Sequence, residues 1–259
     1  MRIATVTLIA ALAIAAPARA AGAPTGADAT WDWYWQGAGA PAATASAEDL
    51  GTVYLYAEGG FDAKVTGAIE GLRAEGANVE ALAGEYTWAR PGNHAGLLVF
   101  VRAARGQQVD AIHLDIEPYS LRMWRTDRAR LIRSYLTALG AARHIAGPIP
   151  VNADIPYWYG PTLLHRVLRR VDAITVMDYR DSGPAAIASA REEVRAAAAA
   201  GKRATIGLET GDVHPASVTF FQEGRAALTD AIAQIRDAYS GDSGFGGIAV
   251  HDAASLAAL

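Results

Sequence analysis

The chain has no cysteine among its 259 residues. Disulfides are excluded, and a domain of this size can bury enough apolar core without them. A basic block is missing too. Lysine and arginine number 23 against 27 acids, a formal charge of −4 that falls to −6 once Arg2 and Arg19 are set aside. Nucleic acid and anionic membranes are poor partners for such a chain. Beyond the N-terminal segment no run is apolar enough to cross a bilayer. No Gly-x-Gly-x-x-Gly follows the first strand-like stretch, which lowers a dinucleotide reading. No close-spaced histidine pair supports zinc.

What is present begins with residues 1–20, which have the layout of a secretory signal. Arg2 gives the positive start, Ile3 to Ala16 the apolar run, and Ala18-Arg19-Ala20 the small-x-small cleavage pattern. Retention as an uncleaved anchor is the alternative. Cleavage implies a secreted or periplasmic protein with no membrane contact afterwards. Residues 21–30, rich in Ala, Gly and Pro, read as a flexible leader.

Residues 31–259 alternate strand-like and helical patterns. Strands are expected at Trp31–Trp35, Thr52–Tyr56, Asn78–Leu82, from Val109 onward, and at Ile149–Ile155, Ala173–Met177, Ala204–Leu208 and Gly246–Val250. Helices are expected over Ala63–Glu75, from an Asn93 cap to Arg105, after a Thr126 cap, from Pro161, over Pro184–Ala200 and over Phe221–Ser240, with a short one closing the chain. Eight β-then-α units with apolar strands point to the α/β class, as a single-domain (β/α)8 TIM barrel. A doubly wound open sheet is the runner-up.

In such barrels the carboxyl ends of the strands carry the chemistry. Here they deliver Trp35, Glu58, Glu85, Asp115 with Glu117, Asp154, Asp178 with Tyr179, Glu209 and His251. The fourth strand, Asp110-Ala-Ile-His113-Leu-Asp115-Ile-Glu117, puts His113, Asp115 and Glu117 on one face by its period of two. Neighbouring carboxyls in one cleft cannot both ionise freely, so the more desolvated one keeps its proton and can act as a general acid. Glycosidic cleavage needs that division: one group protonates the leaving oxygen and another steadies charge at the sugar carbon. Trp124 and Trp158 lie in loops on the same side and offer flat surfaces to a sugar. Trp31, Trp33 and Tyr54 serve equally well as barrel packing.

The fourth-strand segment resembles the Asp-x-x-Asp-x-Asp-x-Glu signature of family-18 glycoside hydrolases, the chitinase-like barrels. Met177-Asp178-Tyr179 resembles that family's Met-x-Tyr, and Phe245–Val250 its last strand. The resemblance implies Glu117 as the acid and Asp115 as the residue orienting the substrate's own acetamido nucleophile. It also implies Tyr179, with Asp178, as support for the reacting sugar. The sequence departs from the pattern at His113, in place of the inner aspartate, at Arg180, in place of an aspartate, and at His251, in place of a floor tryptophan.

The expectation is an exported, monomeric glycosidase without metal or cofactor, acting on an amino-sugar or related glycan. Glu117, Asp115, Tyr179 and Asp178 are its catalytic set. His113, Asp154, Glu209, His251, Trp35, Trp124, Trp158 and Glu58 are its substrate contacts. Arg180 is expected to pair with Asp178 or Asp181, with an anionic group on the substrate as its alternative partner. The competing classes are a metal-dependent hydrolase built on Asp115, Glu117, Asp154, Asp178, Glu209 and His251, and a non-catalytic carbohydrate-binding barrel.

Overall fold

The computed structural model describes residues 23–259, so the signal-like segment lies outside the described residues. Eight parallel strands close into a barrel in sequence order, with β8 returning to β1. They are β1 (Ala29–Asp32), β2 (Thr52–Tyr56), β3 (Asn78–Ala83), β4 (Ala111–Leu114), β5 (Val151–Pro156), β6 (Ala173–Met177), β7 (Arg203–Glu209) and β8 (Phe245–His251). The helices α1 (Ala40–Glu48), α2 (Ala63–Ala74), α3 (Ala95–Arg105), α4 (Met123–Thr126), α5 (Arg128–Ala146), α6 (Pro161–Leu168), α7 (Gly183–Ser189), α8 (Arg191–Ala199), α9 (Gly224–Ala238) and α10 (Ala253–Ala258) surround it. The fold is the (β/α)8 barrel, a single domain.

The period-two pattern sorts each strand into two faces. Outward residues such as Ile112, Leu114, Ile174, Val176, Ile206, Leu208, Ile248 and Val250 join the main core beneath the helices. Inward ones, Ala29, Trp31, Tyr54, Leu82 and Ala249, form a second cluster that fills the cylinder. Trp31 is its plug, with an edge-on contact to Tyr54 at 5.1 Å between ring centres. Its indole needs room, and the inward position on β7 is Gly207, where a Cβ would meet Trp31 at 2.7 Å and the Val176 carbonyl at 3.0 Å. Gly84 makes the same room for Trp33, at 2.8 Å.

Several boundaries differ from the sequence reading. The first strand is Ala29–Asp32, not Trp31–Trp35, because Thr30 is buried and donates its hydroxyl to the Val250 carbonyl at 2.7 Å. Ordered packing therefore enters the stretch read as a leader, where Thr25 and Ala27 are also buried. Helix α1 is an addition. Asn93 does not cap α3; its amide donates instead to the Thr87 carbonyl at 2.9 Å. Asp127, not Thr126, caps α5, accepting from the Arg130 amide at 3.3 Å. The alanine-rich stretch breaks at Ala190 into α7 and α8, and the helix expected from Phe221 starts at Gly224.

Gly207→Ala tests the plug. Overpacking against a rigid ring and a backbone carbonyl should lower stability by about 1–3 kcal/mol in a urea melt. An unchanged midpoint would show that Trp31 yields freely.

Candidate functional site at the barrel mouth

The deepest polar layer is sealed. His113 is completely buried, its Nδ1 2.7 Å from Glu80 Oε2 and its Nε2 2.8 Å from Asp154 Oδ1. Trp31 donates its indole N–H to the other Asp154 oxygen at 2.9 Å, and Asn152 donates to Glu80 at 2.9 Å. Tyr54 stacks on the imidazole at 3.9 Å. Burial by itself would strip the ring of its second proton, but the charges and hydrogen bonds of Asp154 and Glu80 overrule it and push the pKa up to about 10. His113 and Asp154 are therefore removed from the substrate contacts, since every polar atom they offer inward is spent on the core. Glu80, a charge in mid-strand at an inward position, is their unforeseen partner, and strand alternation was the signal for it.

One layer up stands Asp115. Its Oδ1 is buried and has no hydrogen-bond partner. Desolvation, then the charges of Asp154 and Glu117, raise its pKa well above the ordinary carboxylate range, against a smaller pull from His113. Asp115 is thus biased toward its protonated form. Glu117, the next inward residue, lies half-exposed and accepts from the Tyr119 hydroxyl and from Ser120 Oγ at 3.1 Å. Burial, followed by the Glu209 charge and those of Asp115, Asp154 and Glu117, drives the Tyr179 hydroxyl's pKa far up, so this phenol stays a donor.

Across the mouth, Glu209 accepts the amides of Thr210 and Gly211 through one oxygen and meets His251 Nδ1 at 2.8 Å through the other. Trp33 donates its indole N–H to His251 Nε2 at 3.1 Å. An indole nitrogen only donates, so this geometry fixes the neutral His251 tautomer with its proton on Nδ1. Burial works against a second proton; the Glu209 bond and charge favour it and win, raising the pKa above 6.5. Taking that proton would set N–H against N–H and loosen Trp33.

Asp178 does not belong here. It sits directly before Tyr179, so it points to the opposite face, where Ser189 of α7 donates to one oxygen and the other is buried without a partner. Burial raises its pKa to about 7 despite Ser189 and Arg180. Glu193 on α8, also raised to about 7 by burial, is a second acid in that helix layer. Arg180 forms no ion pair with Asp178 or Asp181; its guanidinium lies 3.9 Å over the Tyr157 ring.

Of the other expected contacts, Glu58 accepts the Gly84 amide at 3.0 Å at the β2 end of the mouth, and burial raises its pKa. Trp35 lies further out. With Trp33, Tyr56 and Lys64 it lines a groove of about 340 Å³ beside β1 and β2, its ring under the Lys64 ammonium at 4.3 Å. Trp124 and Trp158 pack with Tyr119 and Tyr159 on the β4–β5 side, ring centres 5.1–6.4 Å apart. Among the described residues no cluster of three or more His, Asp or Glu side chains is arranged to hold a metal. The six residues of the metal reading are divided among the sealed core, the mouth and the helix layer.

No protein-family model matches the chain, and no curated protein matches it by sequence. Solved structures match its fold. The glycoside hydrolase domain of PelA from Pseudomonas aeruginosa aligns with a TM-score of 0.56 at 15% identity, over 88% of this chain and 96% of that one. An endo-beta-N-acetylglucosaminidase from Cordyceps militaris gives 0.58 at 14%, over 86% and 80%. An aldolase, QR15, gives 0.57 at 8%, over 91% and 94%. At these identities the likeness is one of fold.

The sealed histidine has a measurable consequence. Its pKa is 6.5 when unfolded and about 10 when folded. The folded state therefore binds the extra proton, and this stabilisation is complete below 6.5 and lost as pH rises toward 10. Urea melts across that window should show the decline, and His113→Gln should be less stable at neutral pH with a flatter profile. An undiminished slope in the variant would refute the charged imidazole.

Proposed function

We propose that this chain is an exported glycoside hydrolase of the chitinase-like type, acting on an amino-sugar or related glycan. The observation that carries the reading is the carboxyl pair on successive inward positions after β4. Asp115 keeps a proton in a desolvated setting, with an unpartnered oxygen, and Glu117 stands above it at the open edge.

With a glycan seated, Glu117 takes the proton held by Asp115 and passes it to the departing oxygen. The Asp115 carboxylate left behind faces the positive charge at the sugar carbon, or orients an acetamido group that attacks it. A water then adds at that carbon and gives its proton to the Glu117 carboxylate, which closes the cycle. Tyr179, held as a donor, supports the reacting sugar. Trp33, tied to His251, supplies the flat surface that the resemblance places at the end of β8. His113, in the position of the family's inner aspartate, does not relay charge to substrate; it anchors the layer on which Asp115 rests. The fold neighbours include two glycoside hydrolases, which supports the reading. Export rests on the signal-like residues 1–20.

A hydrolysis screen over amino-sugar polymers and oligomers, run beside Glu117→Gln, tests this. The parent should release product, and the variant should lose about a hundredfold or more of that rate. Asp115→Asn should lose comparably while still binding glycan. Binding without turnover in the parent would favour the carbohydrate-binding barrel, and equal turnover in parent and Glu117→Gln would remove Glu117 as the acid.

A further inference from the structure

The β4–β5 rim, outside the acid pair, combines aromatic surface with two arginines, of which Arg180 gives one Nη1 hydrogen to the Tyr179 carbonyl at 2.9 Å. Trp158 is 44% exposed and packs on Tyr119, whose hydroxyl holds Glu117. Trp158 also touches Trp124, and the Arg128 guanidinium lies 4.1 Å over the Trp124 ring. Tyr157, next to Trp158 in the chain, carries Arg180 at 3.9 Å. One guanidinium–ring stack thus touches the exposed indole through Trp124, and the other lies on the residue before it in the chain. Among the described residues neither arginine is in an ion pair.

Stacking covers a guanidinium's face and leaves its N–H edge directed sideways, the edge that grips a planar carboxylate through two hydrogen bonds. Arg128 opens the 19-residue helix α5, whose N-terminal amides are already served by the Asp127 cap, so the guanidinium edge and not the helix end is the group offered to an anion. The neighbouring mouth is acidic, with Glu58, Asp115, Glu117 and Glu209, so these arginines bring the opposite charge to its edge.

We propose that Trp158, Arg128 and Arg180 form a subsite for a carboxylate-bearing sugar, a uronic acid residue, adjoining the position cleaved. The indole takes the C–H face of the ring and an arginine takes the carboxylate. This rests on the glycan reading of the mouth and narrows it to polymers in which acidic sugars accompany the sugar attacked.

The test is binding, measured by calorimetry at low salt, of an oligogalacturonate and of its fully methyl-esterified form, which keeps the backbone and removes the charge. The parent protein should prefer the acid form by about tenfold, and added salt should shrink that preference. In Arg128→Gln/Arg180→Gln the preference should vanish. In Trp158→Ala both forms should bind more weakly. Equal binding of acid and ester by the parent, a preference surviving in the double arginine variant, or undiminished acid binding in Trp158→Ala would each overturn the subsite. Measured in the Glu117→Gln background as well, the preference should persist, so a failure of hydrolysis leaves this result standing and a failure of the preference leaves hydrolysis untouched.

Discussion

A cationic ring enclosed in a barrel is tolerable only because carboxylates meet both its nitrogens. Glu80 from β3 and Asp154 from β5 reach His113 on β4 from either side, so the contact ties three adjacent strands across the cylinder. Removing one partner would strand a buried charge, which is far costlier than never having buried one. The arrangement fixes the height and rotation of everything above it. Trp31 is locked onto Asp154, Gly207 yields the space its ring fills, and Tyr54 lies flat on the imidazole. The mouth is built on that layer.

The same layer sets the chemistry. Asp115 feels the Asp154 charge more strongly than the compensating pull of His113, and desolvation acts in the same direction as Asp154. Asp115, one layer below Glu117, is thereby biased toward its protonated form. Tyr119 and Ser120 orient Glu117 from outside, so the pair is positioned by the strand beneath and by the loop beyond it.

Strand alternation made much of this legible, because inward and outward positions in a closed barrel obey a period of two. It puts His113, Asp115 and Glu117 on one face, and the same rule separates Asp178 from Tyr179, which the motif resemblance joins. What alternation does not give is depth. His113 and Asp154 occupy inward positions like Asp115, yet they lie below the plug and are closed off by Trp31 and Tyr54. Glu80 was visible as a charge in an apolar strand, but its partner was a matter of register between β3 and β4. Helix α1 escaped notice because its alanine- and proline-rich sequence shows little contrast between faces. Helix α5 takes its cap from Asp127, the neighbour of the expected Thr126, while α3 begins after His94 with no side-chain cap.

Fold likeness reaches glycosidases and an aldolase alike, and a barrel hosts many chemistries, so the choice between them belongs to the side chains. An aldolase working through a Schiff base needs a lysine amine beside its substrate. This chain has two lysines, Lys64 and Lys202. Lys64 lies on α2 with its ammonium over Trp35, outside the ring of inward positions. Lys202 precedes β7 at the far end of the barrel and donates to the carbonyls of Leu168 and Val171. Neither amine stands at an inward position of a strand. The mouth offers carboxyls, phenols and indoles, groups that protonate an oxygen and pack against a sugar ring. That complement is the one the proposed glycosidic cleavage draws on.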